Sequence, residues 1–246
     1  MKLALVTGGH RRLGATISAR LAVDGWALAI HGAQDATPDT ALAAALAQTG
    51  VHWRGFVADL SDPAHVERLL PEVTAFFGKP PALVVNNAAR FGQDDASSAD
   101  AASLAGYLSV NFEAPVALAL ALHRTGTVGT VVNIVDQRIR NPVPDQLSYS
   151  LSKGALAAAT RTLAVALAPH IRVNAVAPGL TIPTDEYDAT AMARAAAAMP
   201  LERLPSPEDI ASAVAWLAGA TSVTGQTLFV DGGANLKSFA RDFAYL

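Results

Sequence analysis

A tyrosine and a lysine four residues apart hold the clearest chemistry in this chain of 246 residues, in Tyr149-Ser150-Leu151-Ser152-Lys153. On a helix such residues share a face, so the phenol and the ammonium approach one point. A neighbouring ammonium stabilises phenolate and lowers a tyrosine pKa from its reference of about 10. Tyr149 then suits a general acid that protonates a substrate as it receives hydride. Taken alone, the pair also fits an ordinary helix contact, and its surroundings decide between the two.

A second constellation lies near the start of the chain. Thr7-Gly8-Gly9-His10-Arg11-Arg12-Leu13-Gly14 follows an apolar run and opens a helical segment. Such a turn aims backbone N–H groups and a helix dipole at a pyrophosphate, and glycine lets the backbone come close. A second apolar run ends in Ile30-His31-Gly32-Ala33, with none of the carboxylate that usually binds an adenosine ribose. A 2′-phosphate is not repelled there, and Arg11 or His31 can pair with it. This favours NADP as cofactor. Arg11 as a plain surface charge, and Asp35 a little further on, keep NAD open.

These residues need a frame. Apolar, β-branched runs at 3–6, 27–30, 51–57, 83–85, 128–135, 171–176 and 227–230 read as strands, several without alternation, as in parallel strands covered on both faces. Helical segments at 14–24, 39–48, 63–77, 101–123, 149–168 and 207–218 alternate with them. Ser61-Asp62-Pro63 and Ser206-Pro207-Glu208-Asp209 carry capping signals, while Pro71 is expected to bend or interrupt its helix. The alternation predicts an α/β fold: a Rossmann-type, doubly wound parallel sheet of seven strands with helices on both faces, one domain over 1–246.

Composition narrows the partners. The chain is 51% hydrophobic and 16% charged, with a formal net charge of −3, so it has no basic field for nucleic acid. Without cysteine there is no disulfide, thiol nucleophile or thiolate metal site, and no metal is expected. The first apolar run is too short for a signal peptide, and no uninterrupted run of membrane-spanning length appears. A cytoplasmic protein with no membrane partner is expected.

The glycine turn, Tyr149 and Lys153, and their order along the strands resemble the short-chain dehydrogenases/reductases over essentially the whole chain. The resemblance implies that Gly8, Arg11, Arg12, Leu13 and Gly14 bind cofactor phosphates. It also implies that Asp59-Leu60 meets adenine and that Asn87 and Ala88, in Asn86-Asn87-Ala88-Ala89, line the cofactor. Pro178-Gly179 then turns around the nicotinamide, and Asn111 supports a proton-relay water. Val230-Asp231-Gly232-Gly233 closes the match.

Departures from that pattern speak to the substrate. The family's third active-site residue is a serine shortly after strand five, and here Asp136 stands there, thirteen residues before Tyr149. A carboxylate cannot donate to a carbonyl oxygen and repels a developing alkoxide. Either Asp136 is held protonated, or the substrate presents N–H donors or a ring nitrogen. With Arg12 in place of the middle glycine and Phe91 just after Ala89, the chain resembles the pteridine and dihydromonapterin reductases. There the resemblance implies that Phe91 sandwiches a pterin, Arg12 reaches phosphates and substrate, Asp136 helps protonation, and Leu180 borders the site. Ala89 and Ala33-Gln34 depart from that subgroup.

The expected activity is NADPH-dependent reduction of a dihydropterin or related C=N bicycle. A carbonyl reductase acting on a ketone, sugar or acyl thioester is the alternative, and a non-catalytic nucleotide sensor is the reading from another class. The family implies a homotetramer or homodimer through the segments 101–123 and 149–168. Residues 181–199 are expected to form a lid over the substrate, and the tail 238–246 either packs on a neighbour or folds back.

Overall fold

The computed structural model describes residues 2–183 and 187–245. Seven strands form one sheet in the order β3-β2-β1-β4-β5-β6-β7, with every neighbouring pair parallel. The strands are β1 Leu3–Val6, β2 Ala27–Gly32, β3 Trp53–Val57, β4 Leu83–Asn86, β5 Gly129–Ile134, β6 Ile171–Pro178 and β7 Thr227–Val230. Between them run α1 Arg12–Val23, α2 Thr40–Thr49, α3 Pro63–Phe77, α4 Ala101–Leu108, α5 Ala114–Arg124, α6 Leu147–Ala166, α7 Ala189–Ala198 and α8 Pro207–Gly219.

Alternate residues of each central strand feed opposite cores. Leu3, Leu5, Val84, Val131 and Val173 meet Val66, Leu69 and Val73 of α3, Leu118 and Leu122 of α5, and Leu163 of α6. Ala4, Val6, Leu28, Ile30, Val85 and Val132 meet Ile17 and Leu21 of α1, Leu42 and Leu46 of α2, and Val214 of α8. Burial on both faces is why these strands read as continuous apolar runs. The chain winds away from β1 in both directions, so the loops at the carboxyl ends of β1 and β4 part and leave a crevice there.

Local signals placed two of the helix starts. Asp62 accepts from the Ala64 N–H ahead of Pro63, and Ser206 forms a reciprocal capping box with Asp209. Three details are added to the expectations. Pro71 lies inside α3 without ending it. The segment expected as one helix from 101 to 123 contains a five-residue π-helical turn, Ser109–Glu113, between α4 and α5. Part of the segment expected as a lid is helix α7, capped by Asp188; Thr184, Asp185 and Glu186 of that segment lie outside the described residues. The continuous 101–124 helix is long and apolar enough to cross a membrane by length and composition, yet Leu118 and Leu122 pack into the sheet.

Candidate active site

A cleft of about 510 Å³ runs along the carboxyl ends of β1, β4, β5 and β6. At its nucleotide end the turn after β1 approaches the turn after β4. The Asn87 and Ala88 N–H groups both donate to Thr7 Oγ1 at 3.0 Å, and Asn87 Nδ2 donates to the Thr7 carbonyl at 2.9 Å. A Cβ on Gly8 would lie 3.1 Å from Ala88 Cα, and one on Gly14 would strike the Gly8 carbonyl, so the glycines are needed for this approach. Arg12 occupies left-handed backbone at φ +53°, the conformation that explains why glycine is usual there.

The chemistry of this end fits a dinucleotide. Helix α1 begins without a side-chain cap and without an acid in its first turn, whereas α2, α3, α4, α7 and α8 each take a side-chain cap. Its first N–H groups are therefore left to an anion. Gly8, Arg11, Arg12, Leu13 and Gly14 line the cleft, as do Asn87 and Ala88.

His31 is a correction. It is buried, the Gly8 N–H donates to its Nδ1 at 3.1 Å, and its Nε2 lies 2.8 Å from the Ala58 carbonyl. Burial lowers its pKa, so it is a neutral strut beneath the glycine turn and offers no charge to a phosphate. His10, which sequence reasoning passed over, lines the cleft instead. Asp35 turns its carboxylate onto its own loop, accepting from the Thr37 N–H at 2.9 Å and the Thr37 hydroxyl at 2.6 Å. Asp59 does the same with Ser61 and stays exposed, while Leu60 is buried in the core; neither borders the cleft.

At the chemical end Tyr149, Lys153, Asp136, Phe91, Pro178, Gly179 and Leu180 come together. Helix α6 has no cap of its own, and Asp94, from the loop just after Phe91, supplies one by accepting from the Ser148 N–H at 3.0 Å. This bond ties the Phe91 loop to the turn that carries Tyr149. The two rings meet edge to face with centroids 4.9 Å apart.

The Tyr149 hydroxyl donates to Asp136 Oδ2 at 3.0 Å. Lys153 Nζ donates to the Ile134 carbonyl at 2.7 Å and stands 5.8 Å from the Tyr149 ring centroid. Here too the structure departs from expectation. Burial, then the Asp136 carboxylate, push the Tyr149 pKa well above its ordinary value, so the phenol is not lowered by its lysine. Burial instead lowers Lys153 to about 8, against a smaller opposing pull from Asp136.

Asn111 sits in the π-helical turn but does not border the cleft. Its Oδ1 accepts from the Arg90 N–H at 2.7 Å, and its Nδ2 donates to the Arg90 carbonyl and to Ser152 Oγ, both at 2.9 Å. Through its side chain it joins the Phe91 loop to α6.

Sequence reasoning missed Arg138, Tyr187 and Phe243, which also line the cleft. Arg138 is buried between Asp136 and Asp242, with its guanidinium bonded to Asp242 and 3.9 Å from Asp136 Oδ2. The spacing Asp136-Gln137-Arg138 gives no hint of this, because Asp242 arrives from 104 residues away. Tyr187 also bonds Asp242. The tail therefore folds back on its own chain, one of the two outcomes expected of it; Leu246 lies outside the described residues.

Comparison with known proteins agrees with this geometry. The enoyl-(acyl carrier protein) reductase family profile matches residues 9–235. FolM alternative dihydrofolate reductase 1 from Brucella canis, solved in complex with NADP, is 37% identical with a TM-score of 0.87, covering 96% of this chain and 95% of its own. A ketoacyl reductase assignment attaches to a relative from the granaticin polyketide synthase of Streptomyces violaceoruber, 35% identical over 95% of this chain and 96% of that protein. The (3R)-3-hydroxyacyl-CoA dehydrogenase of Canis lupus familiaris is 33% identical over 94% and 95%. With this fold, this cleft and these relatives, the chain belongs to the short-chain dehydrogenases/reductases and is an NAD(P)-dependent oxidoreductase.

Proposed function

We propose that this enzyme reduces a C=N bond of a dihydropterin or a related flat bicycle with NADPH. The observation that carries the reading is the Tyr149–Asp136 hydrogen bond. Asp136 acts as an acceptor toward both the phenol and the Arg138 N–H, which is 2.8 Å away. It is poorly suited to donate to a ketone oxygen, and well suited to accept from the N–H and amino edge of a pterin. Phe91, at 46% exposure beside Tyr149, offers its face to a flat ring at the mouth of the cleft.

NADPH, when bound, supplies the hydride. The chain's residues supply position and proton. Tyr149, held neutral by burial, keeps its proton at neutral pH and donates it to the ring nitrogen as hydride arrives. Asp136 turns from the phenol to the substrate's N–H groups, which leaves the phenol hydrogen free to point at the reacting atom. Lys153, held on the Ile134 carbonyl, contributes positive charge as the phenol loses its proton. Arg12 lines the cleft and suits a phosphate or a substrate carbonyl.

The preference for NADP rests on the exposed Arg11 beside His10, on a neutral β2 terminus, and on an Asp35 carboxylate turned away. The Brucella canis protein was solved in complex with NADP, and a blue fluorescent protein from a metagenomic library, 32% identical with a TM-score of 0.85, in complex with NADPH. A homotetramer or homodimer through the outer faces of α4–α5 and α6, working in the cytoplasm, belongs to the same proposal. Val165 on α6 is 82% exposed, as such a face requires.

The second reading, reduction of a carbonyl on an acyl thioester, is favoured by the names of the ketoacyl and hydroxyacyl relatives. One assay separates the two. Dihydropteridines should oxidise NADPH in the presence of the enzyme, and Phe91→Ala should raise their KM about tenfold while leaving small ketones little affected. Robust turnover of ketones with none of any pterin would sink the first reading.

A further inference from the structure

Resting on that reading, we propose that Asp242 is a specificity-determining and positioning residue. By binding Arg138 and Tyr187 it latches the C-terminal tail across the substrate end of the cleft, building a wall that admits a compact bicycle and shuts out long acyl thioesters.

The latch is a seam between two stretches far apart in sequence, the loop after β5 and the tail. Asn141 Nδ2 donates to the Asn235 carbonyl at 2.7 Å and to the Lys237 carbonyl at 3.0 Å. Asp145 accepts a two-pronged bond from Arg241, at 2.6 and 2.9 Å to Oδ1, and also the Asp242 N–H at 2.7 Å. The Asp242 carboxylate then takes Arg138 on one oxygen and the Tyr187 hydroxyl on the other. Asp242 is 1% exposed, so the pair is a buried one whose partners must be present together.

An apolar cluster stands behind the polar seam. Tyr187 just before α7, Ala191 and Ala195 within it and Met199 at its end pack with Phe243, and Phe239 meets Phe243 edge to face at 5.0 Å. This cluster, which Ala234, Leu180 and Leu204 also join, is separate from the two sheet cores, so α7 and the tail share a small core of their own. Tyr187 and Phe243 of this cluster also border the cleft directly. Removing the bond at Asp242 therefore loosens α7 and tail as a unit and opens the wall they form.

Arg138 connects the wall to the chemistry. Its guanidinium lies between Asp242 and Asp136, and its own N–H holds Asp136 Oδ1. The two acids share one cation. Asp242 draws that cation away from Asp136, which keeps Oδ2 available to Tyr149 and to the substrate edge. Asp242 acts on the reaction through Arg138, and touches no reacting atom itself.

The test compares the parent with Asp242→Ala and with the conservative Asp242→Asn, using intact chains. Expected of Asp242→Ala is a ratio of kcat/KM for a dihydropteridine over a twelve-carbon β-ketoacyl N-acetylcysteamine thioester at least about tenfold below the parent's. The change should lie in KM for both substrates, and Asp242→Asn should recover part of it. Hydrogen exchange should rise together at 187–199 and 238–245, while 149–166 and NADPH binding stay as in the parent. An unchanged ratio in a folded, NADPH-binding Asp242→Ala, or exchange rising in the tail alone, overturns the proposal. If the parent reduces no pterin, the proposed function fails by itself. The latch is then judged on β-ketoacyl thioesters of increasing length: a sharp loss with length in the parent that flattens in Asp242→Ala supports it, and parallel curves overturn it.

Discussion

Tyr149 and Asp136 share a hydrogen bond of 3.0 Å, and this bond, rather than a contact with Lys153, fixes where the phenol points. An aspartate there makes the site rich in acceptors and poor in donors. Replacing it should change which substrates react. Asp136→Asn keeps the size and the bond to the Arg138 N–H, and supplies an amide that donates. Turnover of a dihydropteridine should fall by about 100-fold, while a simple ketone should be reduced as well as by the parent or better. Steady-state kinetics with both substrates checks it, and equal losses on both would contradict the assignment.

The pH dependence should report Lys153. Its ammonium titrates at about 8 because burial penalises the charge, while Tyr149 stays protonated well beyond that. The rate of reduction should therefore fall as pH rises through about 8, and Lys153→Arg should remove that limb because guanidinium stays charged. Stability runs the other way. An unfolded lysine keeps its proton to about 10.4, so between the two values the unfolded chain binds more protons. This group's contribution to stability then increases from about pH 8 to the unfolded pKa, as thermal unfolding across that window would show.

How far this site was legible depends on how far apart its parts lie in sequence. Tyr149 and Lys153 are one helical turn apart, and the glycine turn is contiguous, so spacing together with their order along the strands places them. The central strands were legible because burial on both faces leaves unbroken apolar runs, whereas β3 and β7 are partly open to solvent. By contrast, the cap of α6 comes from Asp94, and the partner of Arg138 comes from Asp242. No local pattern marks either. His31 misled for a related reason: a histidine after β2 looks like a cation for a phosphate until both ring nitrogens are seen to be taken by backbone. The direction of the Tyr149 shift was misjudged because proximity of charge was weighed and depth of burial was not.

Arg12 carries a conformational cost for its function. A non-glycine residue at φ +53° is disfavoured by about 1 kcal/mol relative to glycine. Arg12→Gly should therefore leave the fold about 1 kcal/mol more stable, or close to neutral where glycine's greater unfolded-state freedom offsets the gain. The same change removes a guanidinium from the cleft and should weaken NADPH binding by about tenfold. Denaturant unfolding and fluorescence titration measure the two effects. A large loss of stability would show that the side chain holds the turn together.

Cofactor choice separates Arg11 from His31. Arg11 is exposed at the adenosine end of the cleft, and its guanidinium suits a 2′-phosphate. Arg11→Ala should lower affinity for NADPH at least about tenfold and leave NADH nearly unchanged, since a charge-assisted bond contributes about 1.5–3 kcal/mol. His31→Ala should behave differently. It strips partners from the half-buried Gly8 N–H and the buried Ala58 carbonyl, and should cost about 2 kcal/mol of stability. On the proposal that the glycine turn holds the pyrophosphate common to both nucleotides, their affinities should fall together. Titration of each variant with NADPH and NADH gives the ratio directly, and a ratio that moves with His31 but not with Arg11 would reverse the assignment.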